Sequence, residues 1–165
     1  MKIPPPIVRE KSPREAWKIN GQDLPIRGGW GYFRKDACII DRNDPVVDPT
    51  DEFDGIAVEY EFIENRIMDE IYAGDQGYAR TDWELVSQHL IHVGERSYDR
   101  LIFKIATYRI EDWNEIEEYW EANNGAESPD FNLLEYLEKR QEKLICYERE
   151  FWFDITSFFG RRNRE

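Results

Sequence analysis

Two stretches of strict alternation constrain this fold more than anything else in the chain. From Arg100 to Arg109, Leu101, Phe103, Ile105 and Thr107 fall on one side, with Arg100 and Lys104 on the other. From Tyr147 to Ile155, Arg149, Phe151, Phe153 and Ile155 alternate with Glu148, Glu150, Trp152 and Asp154. A period of two is that of a strand, and one apolar face against one charged face is that of an antiparallel sheet covered on one side. The same alternation predicts a strand over Ile56–Ile63, with Ile56, Val58, Tyr60 and Phe62 opposite Ala57, Glu59, Glu61 and Ile63. Asn20-Gly21, between Trp17–Ile19 and Gln22–Ile26, carries the turn chemistry of a hairpin. Ala37–Ile40 reads as a short strand.

Helical spacing enters in the second half. Glu111–Ala122 predicts a helix with Trp113, Ile116 and Trp120 inward, stopped by Asn123-Asn124-Gly125. Ser128-Pro129 then predicts a second start, with a buried stripe of Leu133, Leu137 and Leu144 and Leu134 alongside. Thr81 and Glu84 have the form of a capping box that would open a helix to about His92. A strand turning through Gly94-Glu95-Arg96 is the alternative there. Gly74 and Gly77 would break any helix across 64–80. The order of elements predicts an α+β fold: a mainly antiparallel sheet with helices packed on one face, in a single domain. Its expected bounds are an extended, proline-rich arm at 1–13, a globular domain at 14–160 and a basic tail at 161–165.

At 165 residues, 41% apolar and 15% aromatic, the chain can bury a core and is not a disordered acidic tail. Cys38 and Cys146 sit in strand-like runs and read as buried free thiols. Without an apolar leader or an 18-residue apolar run, the expected location is the cytoplasm.

Charge narrows the range of partners. The chain holds 35 acidic and 22 basic side chains, a net −13, and 27 of the acidic against 10 of the basic groups lie within 51–160. A field of that sign repels nucleic acid and anionic membranes and steers basic partners inward. The expected function is therefore an acidic cytoplasmic interaction domain that docks on a basic protein. An inhibitor or immunity-type protein filling the cationic cleft of a nucleic-acid-acting enzyme is one concrete form. The expected contacts are Glu115, Glu118 and Glu121 on the first C-terminal helix, with Asp48, Asp51 and Glu52 in the acidic loop that follows Ile40. Trp and Tyr are also enriched in interface cores, which leaves room for a homo-oligomer.

An enzyme or ligand-binding domain is the alternative. Glu59 and Glu61, with Glu148, Glu150 and Asp154, would crowd one sheet face and could supply an acid–base pair. Trp30 and Tyr32, in the glycine-rich Arg27–Tyr32, could present flat rings at its edge. The remaining motifs carry less. Asp41, Asn43 and Glu52 match three positions of a calcium loop, but Val46 stands where the turn needs glycine. His89 and His92 could share a metal only on a helix. Arg34 replaces the third glycine of a dinucleotide fingerprint, and the serines lie in no nucleophile elbow. No cofactor, metal or catalytic residue is implied.

Overall fold

The computed structural model describes residues 3–73 and 77–160, so Gly74 and the basic tail at 161–165 lie outside the described residues. In chain order the elements are α1 (Pro13–Lys18), β1 (Ile26–Gly28), β2 (Cys38–Ile40), α2 (Gly55–Tyr72), β3 (Tyr78–Val93) and β4 (Arg96–Arg109). They continue with α3 (Ile110–Ala122), α4 (Leu133–Lys143) and β5 (Ile145–Asp154). One five-stranded sheet has the order β1-β2-β5-β4-β3. All its pairs are antiparallel except β2 with β5. This is the α+β class that the alternation predicts.

The two alternating stretches behave as read. Leu101, Phe103 and Ile105 of β4 and Phe151 and Phe153 of β5 are buried under α2, where they meet Phe62, Ile63 and Ile67. On the open face, Arg100 is paired with Glu150, and Lys104 stands opposite Glu148.

Four elements differ from expectation. Trp17 belongs to α1 and not to a hairpin. Ser12 Oγ accepts from the Glu15 amide to start that helix, and Pro13 sits at its first position. Gly21, at φ +83°, ends it, with the Gly21 and Gln22 amides donating to Lys18 and Trp17 carbonyls. An Asn-Gly pair stops a helix as readily as it turns a hairpin.

Residues 56–63 are the first turns of α2 and not a strand. Asp54 caps the helix by accepting from the Ala57 amide at 3.0 Å. The buried positions are Glu59, Phe62, Ile63, Arg66, Ile67, Glu70 and Ile71, a helical period that includes three charged residues. Gly77 lies beyond its end, next to β3.

Residues 78–93 form the long strand β3, the alternative to the helix, and Gly94 at φ +59° turns the chain into β4. The Thr81 hydroxyl meets that of Thr107 across the ladder at 3.0 Å and caps nothing. Finally, α4 begins at Leu133 with Asn132 as its cap. Ser128 only accepts from the Asp130 amide in a preceding turn, because Phe131 leaves the helical path to pack edge-on against Trp120 at 5.4 Å.

Cys38 is buried, whereas Cys146 lies exposed on the open sheet face, and both are free thiols. Among the described residues no helix is long and apolar enough to cross a membrane.

Two of the charged residues inside α2, Arg66 and Glu70, form a buried cluster. The Arg66 guanidinium lies between the rings of Tyr32 and Phe151, 4.1 and 3.6 Å from their centroids. It donates to the Trp30 and Glu150 carbonyls and faces Glu70. Glu70 also accepts from the Tyr32 hydroxyl at 2.6 Å and from Arg149 at 3.0 Å. Removing one member leaves the others charged and without compensation. Arg66→Ala should cost about 3–5 kcal/mol in urea unfolding; a loss below about 1 kcal/mol would mean the cluster does not hold the fold.

Candidate docking surface

Helix α3 leaves the end of β4 with Glu111 and Asp112 in its first turn, where the positive end of the helix dipole favours them. It stops at Asn123, whose side chain donates to the Tyr119 carbonyl. Gly125 follows at φ +59°, so close to Trp120 that a Cβ there would lie 2.8 Å from the indole. The reversal brings α4 back antiparallel, as an αα-hairpin. Ile116, Tyr108 and Tyr136 form its small core, with Trp113, Tyr119, Phe131 and Leu144 packed around it. The Tyr119 and Tyr136 rings stack at 6.2 Å and 11°. Lys139 sits 4.3 Å above the Tyr119 ring, and Lys143 pairs with Asp112 at 3.6 Å. Between the helices lies a cleft of about 250 Å³, with Glu115, Tyr119, Tyr136 and Lys139 in its walls.

The outward face of α3 is uniformly acidic. Glu111, Glu115, Glu117, Glu118 and Glu121 are all exposed, and among the described residues none of them has an ion-pair partner. Glu111–Glu115 and Glu117–Glu121 are like-charge pairs one turn apart, an arrangement that weakens an isolated helix. Arg14, Arg9, Arg96 and Arg100 are paired elsewhere, with Asp23 and Asp44, Asp69, Asp154 and Glu150, while Arg140 of α4 lies over the Trp113 and Tyr136 rings and Arg80 over Trp113.

The leucine stripe expected to be buried is not. Leu133, Leu134 and Leu137 are 56%, 67% and 47% exposed, and only Leu144 is half-buried. Tyr136 takes the inward position instead, because its ring completes the stack with Tyr119. Helical spacing found this helix but started it too early, at Ser128-Pro129, and chose the wrong side of it. Trp120, also partly exposed, adds to the apolar surface at the hairpin's far end.

The acidic loop does not join this surface. It lies at the other end of the sheet, where Arg42 donates to Ser157 and Phe53 packs on Phe158. The ten residues of β5 separate it from α3, roughly 30 Å at strand rise. Its carboxylates are occupied in building turns. Asp41, Asp44 and Asp48 accept from the amides of Asn43, Val46 and Thr50. The Thr50 hydroxyl and amide hold Asp48 below its ordinary value, and Arg14 does the same for Asp44. Asp51 and Glu52 are exposed in the same loop. Among the described residues no group of His, Cys, Asp and Glu could hold a metal ion. His89 and His92 point to opposite faces of β3, across from Arg100 and Ser97.

Nor do the parts of the alternative site meet. Trp30 is buried at 6% exposure, with its Nε1 donating to the Lys11 carbonyl at 3.1 Å. Tyr32 is half-buried, its hydroxyl accepting from the Ile7 amide while donating to Glu70. Both rings support the core and the N-terminal segment and present no flat face outward. Gly31, at φ +77°, brings its carbonyl within 2.8 Å of the Trp152 amide, which explains the glycines without a ligand. Glu59 and Glu61 are on α2, not on a sheet face: Glu61 is exposed, whereas Glu59 is 2% exposed beside Asp99. Sequence reasoning missed the Glu59–Asp99 pair, because a strand reading put Glu59 in solvent.

Neither family models nor curated proteins nor solved structures provide a match to this chain.

Burial, reinforced by Asp99, raises the Glu59 carboxyl to about 8, from 4.5 for the free group. Asp99 is itself raised by burial, against a donated bond from Gln88. The folded chain thus keeps a proton on Glu59 that the unfolded chain releases, so the stability contributed by Glu59 is complete below about pH 4.5 and is lost as pH rises toward 8. Glu59→Gln should flatten that decline between pH 5 and 8 in urea midpoints; an unchanged slope would remove Glu59 as its source.

Proposed function

We propose that this domain binds a basic protein partner through the α3–α4 hairpin, with the α3 glutamates steering association and the exposed leucines of α4 supplying apolar contact. One observation carries the reading: residues 110–143 hold 11 acidic and only 3 basic side chains. Residues 51–77 carry an equal excess, 9 acidic against 1 basic, but there Glu59 and Glu70 are buried and Asp69 accepts from Trp17, whereas Glu111, Glu115, Glu117, Glu118 and Glu121 of α3 are all exposed. By contrast, residues 78–109 hold 5 basic and 4 acidic side chains and are near neutral. Acidity spread for solubility or for salt would not be partitioned in this way.

The chemistry of such a surface favours speed and selectivity. Clustered exposed carboxylates raise the encounter rate with a cationic surface and repel anionic competitors. Affinity itself would come from the apolar centre, which the acidic rim surrounds as in ordinary protein interfaces. An inhibitor that seals the cationic cleft of a nucleic-acid-acting enzyme is the specific form we favour, since such clefts display both lysine or arginine and flat apolar ground. The docking set is thereby reduced from the sequence reading: Glu115, Glu118 and Glu121 remain, while Asp48, Asp51 and Glu52 lie too far away to share one interface.

The test is parallel capture from native lysate on the wild-type chain and on Glu115→Lys/Glu118→Lys/Glu121→Lys. A basic protein held at low salt by the wild type, released at high salt and absent from the variant is the expected result. Its association rate constant should fall about tenfold or more on charge reversal. Equal capture by both chains would overturn the reading. The paired change Leu133→Ser/Leu137→Ser should leave stability within about 0.5 kcal/mol, since both residues are exposed, and should speed dissociation rather than slow association.

A further inference from the structure

We infer that this chain forms a twofold dimer by edge-to-edge pairing of β3 with β3 of a second copy. At the far edge of the sheet, β3 is hydrogen-bonded, among the described residues, to β4 alone. It is 16 residues long, about 50 Å of strand. Natural edges are kept from pairing by being short, by charged side chains (lysine above all) or proline, by bulges, or by cover from another element. β1, the opposite edge, follows that rule with 3 residues. β3 follows it only in part: it carries Asp82, Glu84 and a bulge at Val86, but between Thr81 and Val93 it has no lysine, arginine or proline. Leu85, Val86, Leu90 and Val93 are 40%, 52%, 49% and 39% exposed along it.

Charge identifies a second copy as the occupant. Two chains at net −13 repel wherever their acidic surfaces meet. The β3–β4 hairpin, with 5 basic and 4 acidic side chains, is where they can approach without that cost.

The register follows from the bulge. Leu85 pairs with Phe103 but Ser87 with Ile102, so Val86 is an extra residue in β3. Because of it, Glu84 and His89, five apart, fall on the same open face, opposite Lys104 and Arg100. Likewise Trp83 and Leu90, seven apart, share the covered face, opposite Ile105 and Asp99. An antiparallel pair about a dyad between Val86 and Ser87 then sets Glu84 against His89 of the second copy and Trp83 against its Leu90. Both pairs occur twice, one setting a carboxylate beside an imidazole and the other joining two apolar side chains. A regular strand could not do this, since residues an odd number apart would face opposite ways.

Sedimentation equilibrium of the full chain should give a mass of twice 19.8 kDa at micromolar concentration. Leu85→Lys/Leu90→Lys should weaken the dimer at least tenfold while leaving the circular dichroism spectrum unchanged. A monomeric wild type at 100 micromolar, or a dimer unaffected by the two lysines, would overturn the inference. The register is read separately, in a Cys146→Ser background. Glu84→Cys/His89→Cys should oxidise to a covalent dimer, and cross-linking by either single cysteine as efficiently as by the pair would refute the dyad.

Discussion

The fold depends on a charge placed where charge is most expensive. Arg66 is fully buried in the middle of α2, and its hydrogen-bonding groups reach the glycine-rich turn at Trp30 and the backbone of β5 at Glu150. Glu70, one helical turn on, collects Tyr32 and Arg149, and Arg149 in turn donates to the Pro4 carbonyl. Four segments distant in sequence are thus tied to one ion pair. A hydrophobic core of Phe and Ile tolerates several arrangements of similar energy; a buried guanidinium with fixed donors tolerates far fewer. The N-terminal segment, without regular structure over residues 3–9, is held on the body through Pro4 and Ile7 by this network.

The same cluster explains which parts of the fold were legible. The strands read at 100–109 and 147–155 and the helix read at 111–122 were legible because their inward residues are mostly apolar and their outward residues mostly charged. Helix α2 was not, because Glu59, Arg66 and Glu70 occupy inward positions and break the helical apolar period. What remained, Ile56 to Phe62, imitates a strand. Helix α1 was hidden for another reason: the Ser12-Pro13 start was passed over in favour of Asn20-Gly21. In α4 the leucines were assigned to the interior, whereas Tyr136 lies there. Part of the docking surface, Glu115, Glu118 and Glu121, could be located from charge alone. Its separation from the acidic loop could not, because the parallel pairing of β2 with β5 is what carries that loop to the far end.

Electrostatically the molecule has two characters. The sheet and its N-terminal attachments neutralise themselves locally, through Arg14 with Asp44, Arg96 with Asp154 and Arg100 with Glu150. The α3–α4 hairpin does not, and its helices carry repulsion that their small aromatic core must offset. Tyr108, Trp113, Tyr119, Phe131 and Tyr136 supply that offset by ring contacts, which keep their strength in salt when ion pairs are screened.

The central position of β5 also has a consequence for biosynthesis. It lies between β2 and β4 although it is the last strand made, and Ser157 closes on Ile40 across 117 residues. Until β5 has emerged from the ribosome, β1 and β2 have no sheet to join and Arg66 has no carbonyl of Glu150 to meet. The β3–β4 hairpin, by contrast, can close as soon as it emerges, since its contacts are local. Assembly of this sheet therefore waits on β5 and then proceeds nearly all at once. A nascent chain interrupted before Ile145 would hold a finished hairpin and an unfinished protein.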